Sequence, residues 1–219
     1  MRKLVVNTFS TLDGVMQAPG GPPEDPSGGF NYGGWSVNYW DDSMNQLMGE
    51  AMSQPSEILL GRKTYEIFAS HWPYSTEPGA DQLNAARKYV VSRTLDKVDW
   101  NNSTLIKGDV VAGIKQLKAQ DGPEILVHGS SNLIQTLLRH NLIDEYRIWI
   151  FPVVIGKGKR LFDQGTVPSS LKLKSINHSG SGVIMAFYEP AGEINIGTFE
   201  LAAPSLAELE RRKKLAAEG

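Results

Sequence analysis

The sequence SEILLGRKTYE, residues 56–66, is the stretch from which the fold can be inferred. Its apolar run ends at Gly61 and is followed at once by two basic residues and a hydroxyl, Arg62, Lys63 and Thr64. This pattern predicts a buried strand, a tight turn whose glycine lets the backbone approach a ligand, and a helix that begins just beyond it. Because a helix N-terminus offers free N–H groups and partial positive charge, the stretch predicts a phosphate site. The alternative is an ordinary strand–turn–helix connection with solvated basic residues.

Two further strand ends carry groups of the same kind. The predicted strand over 88–93 delivers Ser92 and Arg93 at its end, and the strand over 124–128 leads into GSSNL, residues 129–133, where another helix begins. In a parallel sheet the carboxyl ends of the strands share one edge, so the three segments are expected to converge. One ligand with several anionic groups explains all three. An adenine dinucleotide with a 2′-phosphate is the economical candidate, because an arginine suits a phosphate better than a ribose hydroxyl.

Strands alternate with helices along most of the chain, beginning with an apolar strand over 4–9 and including a long strand over 146–154. Two final alternating runs, near 171–178 and 183–188, are typical of an antiparallel pair. The sequence therefore predicts an α/β fold: a three-layer α/β/α sandwich whose mainly parallel sheet is closed by a C-terminal antiparallel strand pair.

The residues beyond Pro190 are predicted to form a short strand over 193–199 and a charged helix from about Ser205. No linker divides the preceding part of the chain. We expect one domain over 1–190 and a C-terminal extension over 191–219 that is not a separate domain.

The composition excludes several classes of protein. The chain of 219 residues has 41% hydrophobic residues, a formal net charge of -2 and a pI of about 6.1, so no overall field favours nucleic acid or an anionic membrane. It has no cysteine, which excludes disulfides, iron–sulfur clusters and thiolate-zinc sites. The four histidines lack metal-ligand spacing, so no metal site is predicted. The apolar runs are too short for a signal peptide or a membrane span, and a cytoplasmic protein is expected.

Common catalytic and nucleotide-binding motifs are also missing. No Gly-x-Gly-x-x-Gly follows the first strand, and Gly108 and Gly113 have P-loop spacing but lack the lysine that must follow. There is no Gly-x-Ser-x-Gly elbow, which argues against a hydrolase.

The segment 17–36 is rich in glycine and proline, and a flexible linker would explain it. However, a long irregular loop inside a compact domain is more often functional, and aromatic residues in and after it argue against a solvated linker. We expect this loop to lie over a ligand cleft, with Trp35, Trp40 and Asp41 as candidate substrate contacts.

Five motifs occur together in one order, and their order is more specific than any one of them. They are Ser10-Thr11-Leu12-Asp13-Gly14, Leu60-Gly61-Arg62-Lys63-Thr64-Tyr65, Val91-Ser92-Arg93, Val127-His128-Gly129-Ser130, and IDEY (143–146) followed by PVVIGKG (152–158). Over residues 2 to about 189 the chain resembles the dihydrofolate reductase superfamily. Within it, the chain is similar to the reductase domain of the bifunctional deaminase-reductase of riboflavin synthesis.

The resemblance implies an NADPH-binding fold and hydride transfer to a heterocyclic substrate, within a homodimer. It assigns the pyrophosphate and the phosphate beside it to Gly61, Arg62, Lys63 and Thr64, and the adenosine 2′-phosphate to Ser92 and Arg93. Five more residues would close over the pyrophosphate: Gly129, Ser130, Ser131, Asn132 and Leu133.

For chemistry, the resemblance places Asp13 near the nicotinamide and substrate, which makes it the catalytic candidate. The alternative is that Asp13-Gly14 only forms a turn. Two departures matter. Folate reductases carry an acid on the helix before the Gly-Arg strand, and its counterpart here falls near Asn45; the long loop 17–36 would also reshape the substrate pocket. Two functions therefore remain open. One is an NADPH-dependent reductase of a pyrimidine, pterin or flavin-precursor-like substrate, similar to 5-amino-6-(5-phosphoribosylamino)uracil reductase, and the other is a non-catalytic nucleotide or small-molecule binder.

Overall fold

The computed structural model describes residues 1–200 and 203–218. Eight strands form one sheet in the order β4-β3-β2-β5-β1-β6-β8-β7. Their bounds are β1 (Leu4–Thr11), β2 (Ser56–Gly61), β3 (Lys88–Val91), β4 (Ser103–Ile106), β5 (Glu124–His128), β6 (Glu145–Phe151), β7 (Leu171–His178) and β8 (Ile184–Pro190). The pairs from β4 to β6 are all parallel, whereas β8 is antiparallel to both β6 and β7. The predicted mainly parallel sheet with an antiparallel C-terminal pair is confirmed.

Helices cover both faces of the sheet. They are α1 (Asp42–Ser53), α2 (Arg62–His71), α3 (Ala80–Ala85), α4 (Val110–Ala119), α5 (Ser131–Arg139) and α6 (Leu206–Glu218). Asp41 and Asp109 cap α1 and α4 by accepting bonds from the N–H groups of Met44 and Ala112. None of the described helices is both long and apolar enough to span a membrane.

The alternation of side chains along the central strands gives each face its own core. Leu4 and Val6 of β1 pack with Ile125 and Val127 of β5 against α4 and α5. The intervening residues point to the opposite face, where α1, α2 and the loop before α1 build two further clusters. Polar residues on this second face, such as Asn7, are therefore available to a site between the sheet and α1.

Two predicted strands differ from the observed ones. The strand predicted over 146–154 ends at Phe151, since Pro152 has no N–H to continue the ladder. No strand forms over 193–199. The last backbone bonds beside β7 join Ser170 to Ala191 and Gly192, and Gly192 adopts a φ of 89°, which turns the chain away from the sheet. The charged helix predicted from about Ser205 is present, while Leu201, Ala202 and Gly219 of the predicted extension lie outside the described residues.

A buried lysine holds the start of β3. Lys88 is fully buried, and its ammonium donates to the carbonyl oxygens of Asn84, Ala86 and Asn101 at 2.8–3.0 Å. The same group lies 4.1 Å from the ring centroid of Trp100. Burial lowers the pKa of Lys88 to about 8, which leaves the ammonium largely protonated at neutral pH. The lysine thus ties β3, and with it the segment that carries Ser92, to its neighbours.

We predict that Lys88→Met destabilises the protein by roughly 3 kcal/mol or more, because three carbonyl groups lose the buried ammonium that donates to them. Lys107→Met is the matched control, since Lys107 makes only an exposed pair with Asp96 and should change stability by less than about 1 kcal/mol. Urea denaturation measures both. Equal stabilities of the two variants would contradict this account of Lys88.

Candidate functional site

A cleft of about 1570 Å³ follows the carboxyl edge of the sheet and continues between the sheet and α1. All three strand ends singled out in the sequence line it. These are residues 61–64 after β2, Ser92 and Arg93 after β3, and residues 129–133 after β5. The expected convergence of the three segments is therefore observed, because β3, β2 and β5 are neighbours in the sheet. The roles in binding stay predictions.

Two hydrogen bonds join the β2–α2 turn to the β5–α5 turn. The N–H of Ser130 donates to Oγ1 of Thr64 at 2.9 Å, and the N–H of Gly61 donates to Oγ of Ser130 at 2.9 Å. Ser130 precedes α5, but its hydroxyl makes no capping bond to that helix. The Ser130 hydroxyl instead accepts from the N–H of Gly61 in the other turn, so this one serine fixes the separation of the two turns.

The β5–α5 turn is conformationally demanding. Gly129 and Ser130 have φ values of 56° and 55°, in the left-handed region that glycine tolerates best. A Cβ at Gly129 would lie 3.4 Å from Cγ2 of Thr64. This turn therefore needs a small residue at position 129. The two hydrogen bonds to the β2–α2 turn stabilise the unfavourable left-handed conformation of Ser130.

The first turns of α2 and α5 present an anion-binding edge. Both helices begin directly after these turns, so their first N–H groups lack partners within the helix. Lys63 and Asn132 are exposed at this edge, whereas Leu133 is buried in the core below it. Arg62 makes an exposed pair with Glu66 at 2.9 Å. An anion placed here would meet N–H groups and positive charge together.

The β3 end combines a buried hydroxyl with an exposed cation. Oγ of Ser92 accepts from the N–H groups of Thr94 and Leu95 at 3.1 and 3.0 Å and thereby shapes the turn after β3. Within residues 1–200 and 203–218, Arg93 makes no hydrogen bond or ion pair, and it lines the cleft. Its guanidinium is free to bind a ligand phosphate.

The other end of the cleft is aromatic. Trp40 stacks on Trp149 with ring centroids 5.7 Å apart and planes 12° apart, and Phe9 lies 5.5–5.6 Å from both. Nε1 of Trp40 donates to the side-chain oxygen of Asn45 at 2.5 Å. The predicted substrate contact Trp40 lines the cleft, as does Asn45.

Trp35 and Asp41 are not among the residues that line the cleft, and their roles as substrate contacts stay predictions. Trp35 is buried in the core beneath the loop, packs edge-on against Phe151 and donates from Nε1 to the carbonyl of Gln17 at 2.8 Å. Asp41 is the α1 cap and also accepts from the N–H of Ser181. Both side chains therefore have structural roles, Trp35 in the core beneath the loop and Asp41 at the start of α1.

Asp13 is likewise placed outside the cleft lining and forms the turn that was the alternative in the sequence. Its carboxylate accepts from the hydroxyl of Thr11 at 2.6 Å and from the N–H groups of Ile155 and Gly156 at 3.2 and 2.7 Å. These donors, the Thr11 hydroxyl foremost, lower the pKa of Asp13 to about 2. A carboxylate so held is ionised at neutral pH and would not act as a proton donor, while a catalytic role of another kind for Asp13 stays a prediction.

The loop 17–36 is an ordered rim of the cleft rather than a linker. The side-chain amide of Gln17 donates to the carbonyls of Asp25 and Ser27, both at 2.9 Å, and its oxygen accepts from the N–H of Lys159. The ammonium of Lys159 in turn pairs with Asp25 and donates to Oγ of Ser27 at 3.0 Å. The predicted position of this loop over a cleft is confirmed, and Lys159 anchors it.

Three carboxylates that line the cleft have shifted pKa values, and the shift of Glu24 is opposite in direction to those of Asp25 and Glu145. Burial raises the pKa of the Glu24 carboxyl above the usual range, although the N–H of Gly20 donates to it at 2.7 Å. Asp25 and Glu145 have lowered pKa values, because lysine or arginine donors outweigh the effect of their burial. Glu24 is thus the carboxyl group of the rim that holds a proton most readily.

Sequence reasoning did not assign Glu24, Lys159, Asn7 or His128 to the site. Asn7 is a polar residue inside an otherwise apolar strand, and that interruption was a usable signal. Burial lowers the pKa of His128 to about 4, so its ring is neutral at neutral pH. Glu24 and Lys159 could not be found this way, since their positions depend on how the loop 17–36 folds.

We predict that Asp13→Asn lowers the free energy of unfolding at pH 6 by about 1–2 kcal/mol, because a charged acceptor of several hydrogen bonds is lost. The folded-state pKa of Asp13 lies below its unfolded value, so its contribution is present above about pH 4 and disappears as the pH falls toward 2. The stability difference between wild type and variant, from urea denaturation, should therefore shrink from pH 6 to pH 3. A variant of unchanged stability that loses all turnover would show instead that Asp13 is catalytic.

Comparisons with known proteins agree with this architecture. The family model of the RibD C-terminal domain matches residues 2–185. Two uncharacterized proteins of Bacillus subtilis (strain 168) are similar in sequence. YyaP is 29% identical over 196 residues, which are 85% of this chain and 94% of YyaP. YwjB is 29% identical over 129 residues, which are 58% of this chain and 69% of YwjB.

Three solved structures share the fold at low sequence identity. A putative riboflavin biosynthesis protein from Shewanella sp. PV-4 has a TM-score of 0.61 and 22% identity, with 87% of this chain and 99% of that chain covered. A pyrimidine reductase-like protein from Corynebacterium diphtheriae has a TM-score of 0.60 and 12% identity, with 88% and 93% covered. Dihydrofolate reductase from Enterococcus faecalis, complexed with NADP(H) and RAB-propyl, has a TM-score of 0.55 and 13% identity, with 86% and 96% covered. The chain therefore belongs to the RibD C-terminal domain family and has the dihydrofolate reductase-like, reductase-type fold.

Proposed function

We propose that the protein is an NADPH-dependent reductase that transfers a hydride to a small heterocyclic substrate of the pyrimidine, pterin or flavin-precursor kind. The closest described activity would be that of 5-amino-6-(5-phosphoribosylamino)uracil reductase. The observation that carries this proposal is one continuous cleft with two joined helix N-termini at one end and an aromatic slot at the other. Such a cleft suits a ligand with phosphates at one end and a flat ring at the other.

The phosphate end supports a dinucleotide. The free N–H groups at the start of α2 and α5 would receive the pyrophosphate, with Lys63 and the neighbouring hydroxyls completing the contacts. Arg93, which has no partner among the described residues, would receive the 2′-phosphate that distinguishes NADPH from NADH. The Enterococcus faecalis relative in complex with NADP(H) supports this choice by analogy of fold.

The ring end supports a planar substrate. Phe9, Trp40 and Trp149 form an apolar wall, and the total volume of about 1570 Å³ exceeds that of a typical small-molecule site. Bound NADPH would supply the hydride, while the protein holds the two rings in contact and keeps water away.

Hydride addition to a polar double bond places an electron pair on the substrate's heteroatom, which must then receive a proton. Glu24 lines the cleft and is the rim carboxyl with a raised pKa, so it is the proposed proton donor. It would act from the loop 17–36, whereas the folate reductases carry their acid on a helix.

A non-catalytic nucleotide or small-molecule binder is the second candidate. Asn45 favours it, because an amide bonded to Trp40 replaces the expected acid on α1. NADPH oxidation in the presence of a candidate heterocycle supports the reductase, whereas tight binding without turnover supports the binder.

The homodimer implied by the family resemblance also stays a prediction. Strand β7, where Leu173 and Ile176 are 45% and 57% exposed, lies at the end of the sheet, and its outer edge has no neighbouring strand among the described residues and could serve a dimer.

We predict that NADPH raises the melting temperature more than NADH does, and that Arg93→Ala removes most of this difference. Loss of one charge-assisted phosphate contact, worth about 1.5–3 kcal/mol, should weaken NADPH binding by roughly 10- to 100-fold and leave NADH nearly unchanged. Arg139→Ala, an exposed arginine in the last turn of α5, is the control. Equal shifts by the two nucleotides in the wild type would refute the 2′-phosphate assignment.

We predict that Glu24→Gln lowers kcat by at least about tenfold at neutral pH without changing the NADPH-induced thermal shift, because the amide cannot supply a proton. In the wild type kcat should fall as the pH rises through the elevated pKa of Glu24, and the variant should lack this limb. Glu210→Gln on α6 is the control for a change of net charge. An unaltered pH profile in Glu24→Gln would exclude Glu24 as the donor.

A further inference from the structure

A row of polar side chains crosses the floor of the cleft. Asn7 of β1 lies opposite His128 of β5 on one side and Arg147 of β6 on the other, each pair being in register. All three residues project from the sheet face that carries Phe9, and all three line the cleft. The row connects the turn at Gly129 with the aromatic slot.

Two members of this row have unused hydrogen-bonding groups. Across the described part of the chain, the side chains of Asn7 and His128 make no hydrogen bond, and both are half-buried. His128 contacts the ring of Phe68 at a centroid distance of 6.3 Å, which fixes one ring face without using its nitrogens. The polar atoms of Asn7 and His128 are not among the buried unpaired atoms of the described residues, so they are accessible from the cleft and available to a ligand.

The third member of the row, Arg147, has its positive charge neutralised by ion pairs. Arg147 donates to Glu124 and Glu145 at 2.7 Å each, and Lys174 also pairs with Glu145 at 2.7 Å. The guanidinium is therefore held in an ion-pair network on the side of Asn7 away from His128. A ligand above Asn7 and His128 meets neutral groups, which do not favour a charged ring.

The donors and acceptors in this pair define a ligand chemistry. An asparagine amide offers one acceptor oxygen and an NH₂ donor, and a neutral imidazole offers one donor and one acceptor nitrogen. Two adjacent side chains of this kind match a ring edge that has an N–H beside a C=O.

We propose that Asn7 and His128 bind the lactam edge, the adjacent N–H and C=O, of a neutral pyrimidinone-type ring and so determine substrate specificity. This inference rests on the proposed function, which it makes more specific. It also accounts for the amide at Asn45, because a ring that is held as a neutral lactam needs no carboxylate partner.

The test uses 5,6-diaminouracil and its 1,3-dimethyl derivative, which keeps the carbonyl groups but has no ring N–H. Each is titrated calorimetrically into the full-length protein with and without NADP⁺. Diaminouracil should bind at least tenfold more tightly than the dimethyl compound. Equal affinities, or no binding of either compound, would overturn the inference on the wild-type protein alone.

Side-chain variants then locate the effect. Asn7→Leu and His128→Phe should each weaken diaminouracil binding at least tenfold, while His128→Gln, which keeps a donor and an acceptor, should stay within a few-fold of the wild type. His140→Phe, an exposed histidine after α5, is the matched control. Unchanged diaminouracil affinity in Asn7→Leu and His128→Phe would contradict the proposal.

A parallel measurement of NADPH binding distinguishes failure of the lactam site from failure of the proposed NADPH-dependent function. The NADPH-induced thermal shift should be the same in wild type, Asn7→Leu and His128→Phe. A reduced shift in both variants would mean that the floor holds the nicotinamide amide and would overturn the inference. If NADPH gives no shift in any protein while diaminouracil still binds through Asn7 and His128, the proposed cofactor fails and the lactam site stands.

Discussion

The pair of hydrogen bonds through Ser130 is the interaction on which the arrangement of the cleft depends. One bond runs from the N–H of Ser130 to Thr64, and the other from the N–H of Gly61 to the hydroxyl of Ser130. Together they hold the beginnings of α2 and α5 side by side at the ends of two adjacent strands. Neither helix N-terminus alone would make a specific site, but two at a fixed separation present N–H groups that can hold two linked phosphates. The left-handed conformation of Gly129 and Ser130 is the local requirement of this arrangement.

From these joined turns the cleft changes character along the sheet. The edge near Arg93, Lys63 and the helix starts is positive and open to solvent, whereas the floor near Asn7 and His128 is polar but neutral. The aromatic slot with Trp40 and Trp149 lies beyond it, under the rim formed by the loop 17–36. This gradient from anion-binding to neutral and apolar surfaces gives a dinucleotide and a heterocycle separate places in one cleft. The fold positions them, while the individual side chains decide what is bound.

The architecture was largely predictable because it depends on patterns that the sequence shows directly. The apolar run before Gly61, the one before Gly129 and the alternation near the C-terminus specify strands, and parallel strands place their carboxyl ends at one edge. The same logic correctly brought Arg62, Ser92 and Ser131 to one cleft. It failed where the chain direction depends on one residue, as at Pro152 and Gly192.

The roles of individual polar residues were harder to predict, since they depend on distant partners. Asp13 and Asp41 have the residue type of a catalytic group, but backbone N–H groups remote in sequence, at Gly156 and Ser181, occupy their oxygens. Trp35 was expected in the cleft because aromatic residues in a loop suggest a ligand, and it is in fact part of the core that makes the loop rigid. Glu24 owes its raised pKa to burial within that loop, which no local pattern reveals.

The most direct test of the account is a crystal structure of the protein grown with NADPH. The account predicts the pyrophosphate within hydrogen-bond distance of the first N–H groups of both α2 and α5. It also predicts the 2′-phosphate at Arg93, and the nicotinamide directed toward Trp40 and Trp149. A nucleotide bound elsewhere, or with its pyrophosphate away from the turns joined by Ser130 and Thr64, would contradict it.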